Sequence, residues 1–308
     1  MRLQLFALRV FEGPEHARQH AKENKLRIFT SKSALSESLD EVRKQKKSIG
    51  FVPTMGALHD GHLSLIRNAQ QQSDVVVCSI FVNPTQFEDQ GDLERYPRPV
   101  EADVEKLNAV NCDILFMPSV AEMYQAGEAW HIELGYLETI LEGRYRPGHY
   151  QGVTQIVKKL FDVVNPDKAF FGQKDFQQVM VLRKMVEILN LPVKLVMCPI
   201  KREADGLALS SRNIHLSREE HQLALSLSSA LSYVKDNFEY KDLESLKKEA
   251  EALLLRPAEV ELDYFVICDA ETLLPAPSKE VQNIIALVAA RVGKTRLIDN
   301  MMIKETRV

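Results

Sequence analysis

Apolar positions fall into a regular pattern from Ile49 onward. Ile49-Gly-Phe-Val-Pro53 is a short apolar run of strand type, and Leu63 to Gln72 sets Leu63, Ile66 and Ala69 on one helical face. Asp74 to Val82 reads DVVVCSIFV, the continuous β-branched run expected of a strand buried on both faces of a parallel sheet. Val100 to Val110 returns to helical period, and Asp113-Ile-Leu-Phe-Met117 is again strand-like. A helix from Gly152 to Val164, a strand at Ala169-Phe-Phe171, a helix from Asp175 to Asn190 and a strand at Val193 to Met197 continue the alternation. Such alternation predicts an α/β fold with a doubly wound parallel sheet, whose ligands bind beyond the carboxyl ends of the strands.

The rhythm changes after Pro199. Two polar-rich helices (Ser217 to Lys235 and Leu243 to Leu255) precede three strand-like runs at Leu262 to Cys268, Ile284 to Ala289 and Thr295 to Asp299. Helices followed by strands predict a second, smaller α+β domain, with a boundary near Pro199 to Glu203 and a short hinge. The expected division is an extension over residues 1–25, a first domain over 26–200 and a C-terminal domain over 201–308.

Composition narrows the class. The chain has 308 residues, 45% of them hydrophobic, and a formal net charge of -4 with both signs interspersed. A nucleic-acid binder should show a basic footprint, so no nucleic-acid partner is expected. No run approaches the ~20 apolar residues of a membrane helix. Cys78, Cys112, Cys198 and Cys268 are far apart and share no metal spacing; three lie in apolar runs, as small hydrophobes do. A cytoplasmic protein with reduced thiols is expected. Residues 1–25 lack the long apolar centre of a signal peptide, and Glu12, Glu15 and Glu23 are foreign to a transit peptide. An untargeted extension, or a start placed too early, is the expectation there.

Four segments are candidates for chemistry. Pro53-Thr-Met-Gly-Ala-Leu-His59-Asp-Gly-His62 lies between a strand and a helix. Gly56 and Gly61 let a ligand approach the backbone, and the helix start offers N–H groups to phosphate. Two histidines three residues apart can donate to phosphates as charge builds on a leaving pyrophosphate; zinc is a weaker rival, since no ligand set stands nearby. Asn83-Pro-Thr-Gln86 ends the next strand, with two amides able to meet a hydroxyl or carboxylate, although Asn-Pro is also an ordinary turn signal. Arg144 to Gly152 is followed by Gly172-Gln-Lys174-Asp175-Phe-Gln-Gln178, where Lys174 can meet phosphate as a point charge, Asp175 is foremost a helix cap, and Gln178 lies one turn in. Arg202 to Asn213 carries Ser210, Ser211 and Arg212 in a flexible polar loop able to wrap a triphosphate, with a solvated serine-rich loop as the ordinary alternative.

The His-x-Gly-His signature resembles the nucleotidylyltransferase superfamily, which includes class I aminoacyl-tRNA synthetases. In combination, PTMGALHDGH, FVNPTQF, YPR at Tyr96 to Arg98, EGRYRPGHYQGV, FGQKDFQQ, READGLALSSRN and AARVGKTRLIDN resemble the pantothenate synthetase family from about residue 27 to the end. The resemblance implies a Rossmann-like domain with a C-terminal lid, a homodimer, and the ATP-dependent joining of pantoate to β-alanine through a pantoyl adenylate, with Mg²⁺ as cofactor. Carried over by motif, Pro53, Thr54, Met55, Gly56, His59, Gly61, His62, Gly172, Lys174, Asp175, Lys201, Leu209, Ser210, Ser211 and Arg212 would hold ATP. His59, His62 and Lys174 would be catalytic; Asn83, Gln86, Arg146 and Gln178 would meet pantoate or β-alanine. Asp103 matches a magnesium-ligand position, and Gln173 stands where the family commonly has glutamate.

Two rivals remain on residues alone. Another adenylyl- or cytidylyltransferase could use the same cradle for a different acceptor, although a tRNA enzyme should carry a large basic appendage. A non-catalytic nucleotide sensor need not keep His59, His62, Lys174 and Ser210 to Arg212. The polar loop is expected to stay solvated until nucleotide orders it.

Overall fold

The computed structural model describes residues 25–87 and 90–306, so nearly all of the expected N-terminal extension lies outside the described residues. The chain opens with β1 (Arg27–Phe29), α1 (Lys32–Lys44), β2 (Ile49–Thr54), α2 (Asp60–Gln70) and β3 (Val75–Ile80). Next come α3 (Gln90–Arg95), α4 (Val100–Ala109), β4 (Ile114–Phe116), α5 (Val120–Met123), α6 (Leu141–Tyr145), α7 (His149–Val164) and β5 (Lys168–Gly172). Then α8 (Phe176–Ile188) and β6 (Lys194–Cys198) complete a six-stranded parallel sheet of order β1-β4-β3-β2-β5-β6.

The physical reason for that sheet is visible in β3, where Val75 to Ile80 are all buried. Helices cover both faces, so β-branched and aliphatic side chains are needed on each. Phe51, Val77, Ile114 and Phe116 pack with α1 and α7 on one side. Val52, Val76, Cys78 and Leu115 pack with α2 and Leu107 of α4 on the other. Strand order turns back between β2 and β5, and a crevice at such a switch point is where open α/β sheets bind ligands. The two segments leaving those strands are PTMGALHDGH and GQKD.

The C-terminal part contains α9 (Arg218–Asn237), α10 (Leu243–Leu254) and an antiparallel sheet of β7 (Val260–Asp269), β8 (Ile284–Val292) and β9 (Thr295–Lys304). Ser217 caps α9 in a reciprocal capping box with Glu220, and Asp242 caps α10. The helices bury Leu227, Leu231, Leu246 and Leu254 against Ile284, Ala286 and Val288. The opposite face of the same sheet is not solvated. Ile285, Leu287, Cys268, Ala270 and Leu273 belong to the core of the parallel-sheet region.

An α/β chain with a smaller α+β C-terminal part is therefore observed. Its antiparallel sheet is sandwiched between its own helices and the larger core. Fully burying one such aliphatic side chain is worth about 1.5–3 kcal/mol, so swinging the whole sheet away would re-expose several of them. All four cysteines are free and buried.

Candidate active site

The residues after β2 form a tight loop before α2. Gly56 has φ 83° and Ala57 φ 49°, so two successive residues adopt left-handed backbone, and a residue with a Cβ at the second position is strained. Asp103 holds that loop in place. Its two carboxylate oxygens accept from Ala57 N and Leu58 N, each at 2.7 Å, and the residue is 1% exposed. Asp103, which the resemblance matched to a magnesium-ligand position, lies beneath the loop and outside the cavity lining, clamping a backbone amide with each oxygen.

His59 and His62 close the N-terminus of α2. His59 Nδ1 accepts from Gly61 N at 3.1 Å, and His62 Nδ1 accepts from His59 N at 3.3 Å, a capping box made of two imidazoles. A Cβ on Gly61 would stand 2.7 Å from the His59 ring, so a larger residue there would push that ring out of its place. Their ring centroids are 4.0 Å apart. Because each Nδ1 accepts from a backbone N–H, each proton sits on Nε2, and both rings are neutral donors. Burial pushes the pKa of His59 down to about 4, with Lys174 adding to the effect. Burial and then His59 push that of His62 well below the usual histidine range.

A cavity of about 230 Å³ opens at this point. Its lining contains Pro53, Thr54, Met55, His59, Gly61, His62, Asn83, Gln86, Arg146, Gly172, Lys174, Asp175, Gln178, Lys201, Leu209, Ser210, Ser211 and Arg212. Of the site residues expected from sequence, Gly56 and Asp103 are not in the lining. Lys174 and Asp175 occupy a 3₁₀ turn between β5 and α8, 3.7 Å apart (Nζ to Oδ1). Asp175 stands at the N-cap of α8 but makes no side-chain cap bond.

The amide pair after β3 divides its work. Asn83 is 1% exposed, and its Nδ2 donates to Gly152 O at 3.1 Å and to Gln86 Oε1 at 3.3 Å. Its Oδ1 accepts from Tyr124 Oη at 2.6 Å and Thr85 Oγ1 at 3.2 Å. Protein groups thus take both donors and both lone pairs. Asn83 stands in the cavity lining and fixes Gln86 beside it. Gln86 Nε2 also donates to Met55 Sδ at 2.9 Å. In α8, Gln177 and Gln178 separate in the same way. Gln177 is buried and pairs with Glu142 N, Leu137 O and Ile140 O, whereas Gln178 lines the cavity.

Sequence reasoning missed His149. It is 5% exposed, lines the cavity, and its Nδ1 donates to Gln86 O at 2.9 Å. Burial, reinforced by Arg146, drives its pKa down to about 3. The motif RPGHY contained it, but its partner is 63 residues away and no spacing rule reaches that far. The polar loop is docked rather than detached. Ser211 Oγ donates to Ala57 O at 3.1 Å, and Ser210 Oγ accepts from Arg212 N at 3.2 Å.

The sequence model described as pantoate-beta-alanine ligase matches residues 27–302. A pantothenate synthetase of Thermotoga petrophila is 49% identical over 280 residues, which is 90% of this chain and 100% of that protein. One from Moorella thermoacetica is 44% identical over 281 residues, 91% of this chain and 99% of that protein. Among solved structures, pantothenate synthetase from Thermus thermophilus superposes with a TM-score of 0.86 at 40% identity, covering 91% of this chain and 100% of that one. A pantoate-beta-alanine ligase from Francisella tularensis, in complex with beta-gamma ATP and beta-alanine, gives 0.75 at 34% identity, covering 90% and 97%.

Proposed function

The chain belongs to the pantoate–β-alanine ligase family, catalysing ATP-dependent formation of pantothenate, and on that premise we propose how its residues divide the work. The observation that carries the reading is one cavity at the strand-order switch, with two neutral imidazole donors and Lys174 beside the amides of Gln86 and Gln178. The triphosphate lies along the start of α2, under Ser210, Ser211 and Arg212. Pantoate lies against Gln86 and Gln178, with Arg146 nearby.

In the first step a carboxylate oxygen of pantoate attacks the α-phosphorus, the new O–P bond forms, and the bond to pyrophosphate breaks. Nε2–H groups of His59 and His62 and the ammonium of Lys174 meet the charge that develops on phosphate oxygens. Fixed donors aimed at developing charge form a major part of catalysis in a desolvated site. Next, the β-alanine amine attacks the acyl carbon, the C–O bond to AMP breaks, and the amine loses its proton. Neither step needs a protein nucleophile. The docked loop and the apolar wall of Val153, Ile156 and Val157 keep water from the acyl phosphate.

Magnesium fits as an ion carried on the triphosphate rather than in a protein cage. Among the described lining residues Asp175 is the single carboxylate, and Mg²⁺ commonly takes one or two carboxylates plus substrate phosphates and water. When bound it would neutralise phosphate charge. The chain acts as a cytoplasmic homodimer in this reading. Supporting a reducing compartment are four free, buried cysteines, and no helix among the described residues is long and apolar enough to cross a membrane.

The test is AMP release. It should require pantoate, β-alanine and ATP together; release that ignores pantoate would refute the reading.

A further inference from the structure

The C-terminal sheet reaches the turn that carries Lys174 through one side chain. Asn300 of β9 is 1% exposed and pairs in register with Leu287 of β8. Its Nδ2 donates one hydrogen to Gln173 O and the other to Lys174 O, both at 2.9 Å. Its Oδ1 accepts from Gln173 Nε2 at 3.2 Å. The whole amide is thus used on the 3₁₀ turn that carries Lys174. Asparagine is suited to this: two donors and an acceptor on one rigid plane, which neither aspartate nor leucine supplies.

The neighbouring residue ties in the polar loop. Asp299 accepts from Arg202 Nη1 at 2.6 Å and Nη2 at 3.0 Å, and Arg202 Nη1 also donates to Gly206 O at 3.0 Å. Arg202 Nη2 donates to Asn300 O at 3.2 Å. Two adjacent residues of β9 therefore hold both the turn bearing Lys174 and the base of the loop bearing Ser210 to Arg212.

We propose that Asn300 is a positioning residue for the adenylation step: it sets the backbone of the Gln173–Lys174 turn so that the Lys174 ammonium faces the triphosphate. The proposal rests on the reading of Lys174 as a phosphate-facing group. A turn freed from both bonds shifts, and an ångström of misplacement at a reacting centre costs roughly a hundredfold in rate. Asn300 touches no substrate in this arrangement and acts only through Lys174.

Steady-state kinetics of Asn300→Ala, Lys174→Ala and the double variant, with melting temperature followed alongside, test it. Asn300→Ala should lower kcat roughly tenfold to a hundredfold while the pantoate KM stays near wild type. The double variant should be no slower than Lys174→Ala alone, because residues acting as a unit are non-additive. Wild-type kcat in Asn300→Ala, or multiplying losses in the double variant, overturns the proposal and leaves Lys174 in place. Lys174→Ala at wild-type rate removes the reading beneath it, and the proposal with it.

If Asn300→Ala does not fold, Asn300→Asp carries the test. Its protonated carboxyl can donate to one carbonyl, and its ionised form cannot. Activity relative to wild type should therefore rise as pH is lowered, whereas a flat ratio overturns the proposal.

Discussion

The two sheets solve opposite problems. Every residue of β3 in the parallel sheet is buried between helices, and the chemistry stands at the strand ends, where the chain leaves regular structure. The antiparallel sheet is also covered on both faces, yet one cover is its own pair of helices and the other is the larger core. Its contribution to the site comes from mid-strand, through Asp299 and Asn300. Strand ends tolerate the irregular backbone that a cradle needs; mid-strand residues are fixed by ladder bonds and make better anchors. A sheet used as an anchor is poorly placed to swing as a lid, and the 202–213 loop is tied to it at its base through Arg202 and Asp299.

The sharpest attempt to break that contrast removes the inter-sheet packing. Ile285→Ala should cost about 2–5 kcal/mol and lower a single melting transition of the whole chain. Two separated transitions in calorimetry, with only the C-terminal one shifted, would mean the antiparallel sheet is an independent lid.

Rate comes next. His62→Ala should depress pantoyl adenylate formation by on the order of a hundredfold or more, with far smaller change in pantoate affinity, since its donor acts on charge present mainly in the transition state. Single-turnover adenylation at wild-type speed would take His62 out of the mechanism. A smaller change is expected at Gln178→Ala, where an unpaired polar group on the ligand costs about 1–3 kcal/mol. The pantoate requirement should rise and ATP binding should hold; equal loss of both would relocate the pocket.

Acid should expose the last difference. His59, His62 and His149, all at the rim of the parallel sheet, have folded-state pKa values below the ordinary 6.5 because burial disfavours their charged form. The unfolded chain therefore binds more protons as pH falls from 6.5 toward 4, and stability declines over that window. Well above 6.5, where both folded and unfolded imidazoles are neutral, these groups contribute no slope. Melting temperature followed from about pH 7.5 to about 4.5 should fall less steeply in His149→Gln; parallel curves would mean another group dominates.

Much of this was legible from local pattern. DVVVCSIFV could be little but a central strand, and PTMGALHDGH carries its own cap, bend and donors. Other elements were missed: β1 is three residues long, and α1 sets Leu35, Leu39 and Val42 on one face between charges. Roles that depend on distant partners were not legible. Asn83 and Asp103 are of types that bind ligands, and only their bonds to Gly152 and to the Ala57–Leu58 backbone show that they brace the site. The double cover of β8 was hidden because IIALVAARV is apolar on both faces and does not say what meets each.

The imidazole capping box also makes the cradle selective by refusal. With Nδ1 of both rings occupied by backbone N–H, a visitor meets two donors and no acceptor from His59 and His62. A hydroxyl or amine hydrogen pointed at them finds no lone pair and must stay unpaired in a dry pocket, at a cost of about 1–3 kcal/mol. Phosphoryl, sulfonyl and carboxylate oxygens carry no such burden. Compounds designed to occupy this corner should present oxygens there, and replacing one such oxygen by an N–H should weaken binding more than removing it altogether.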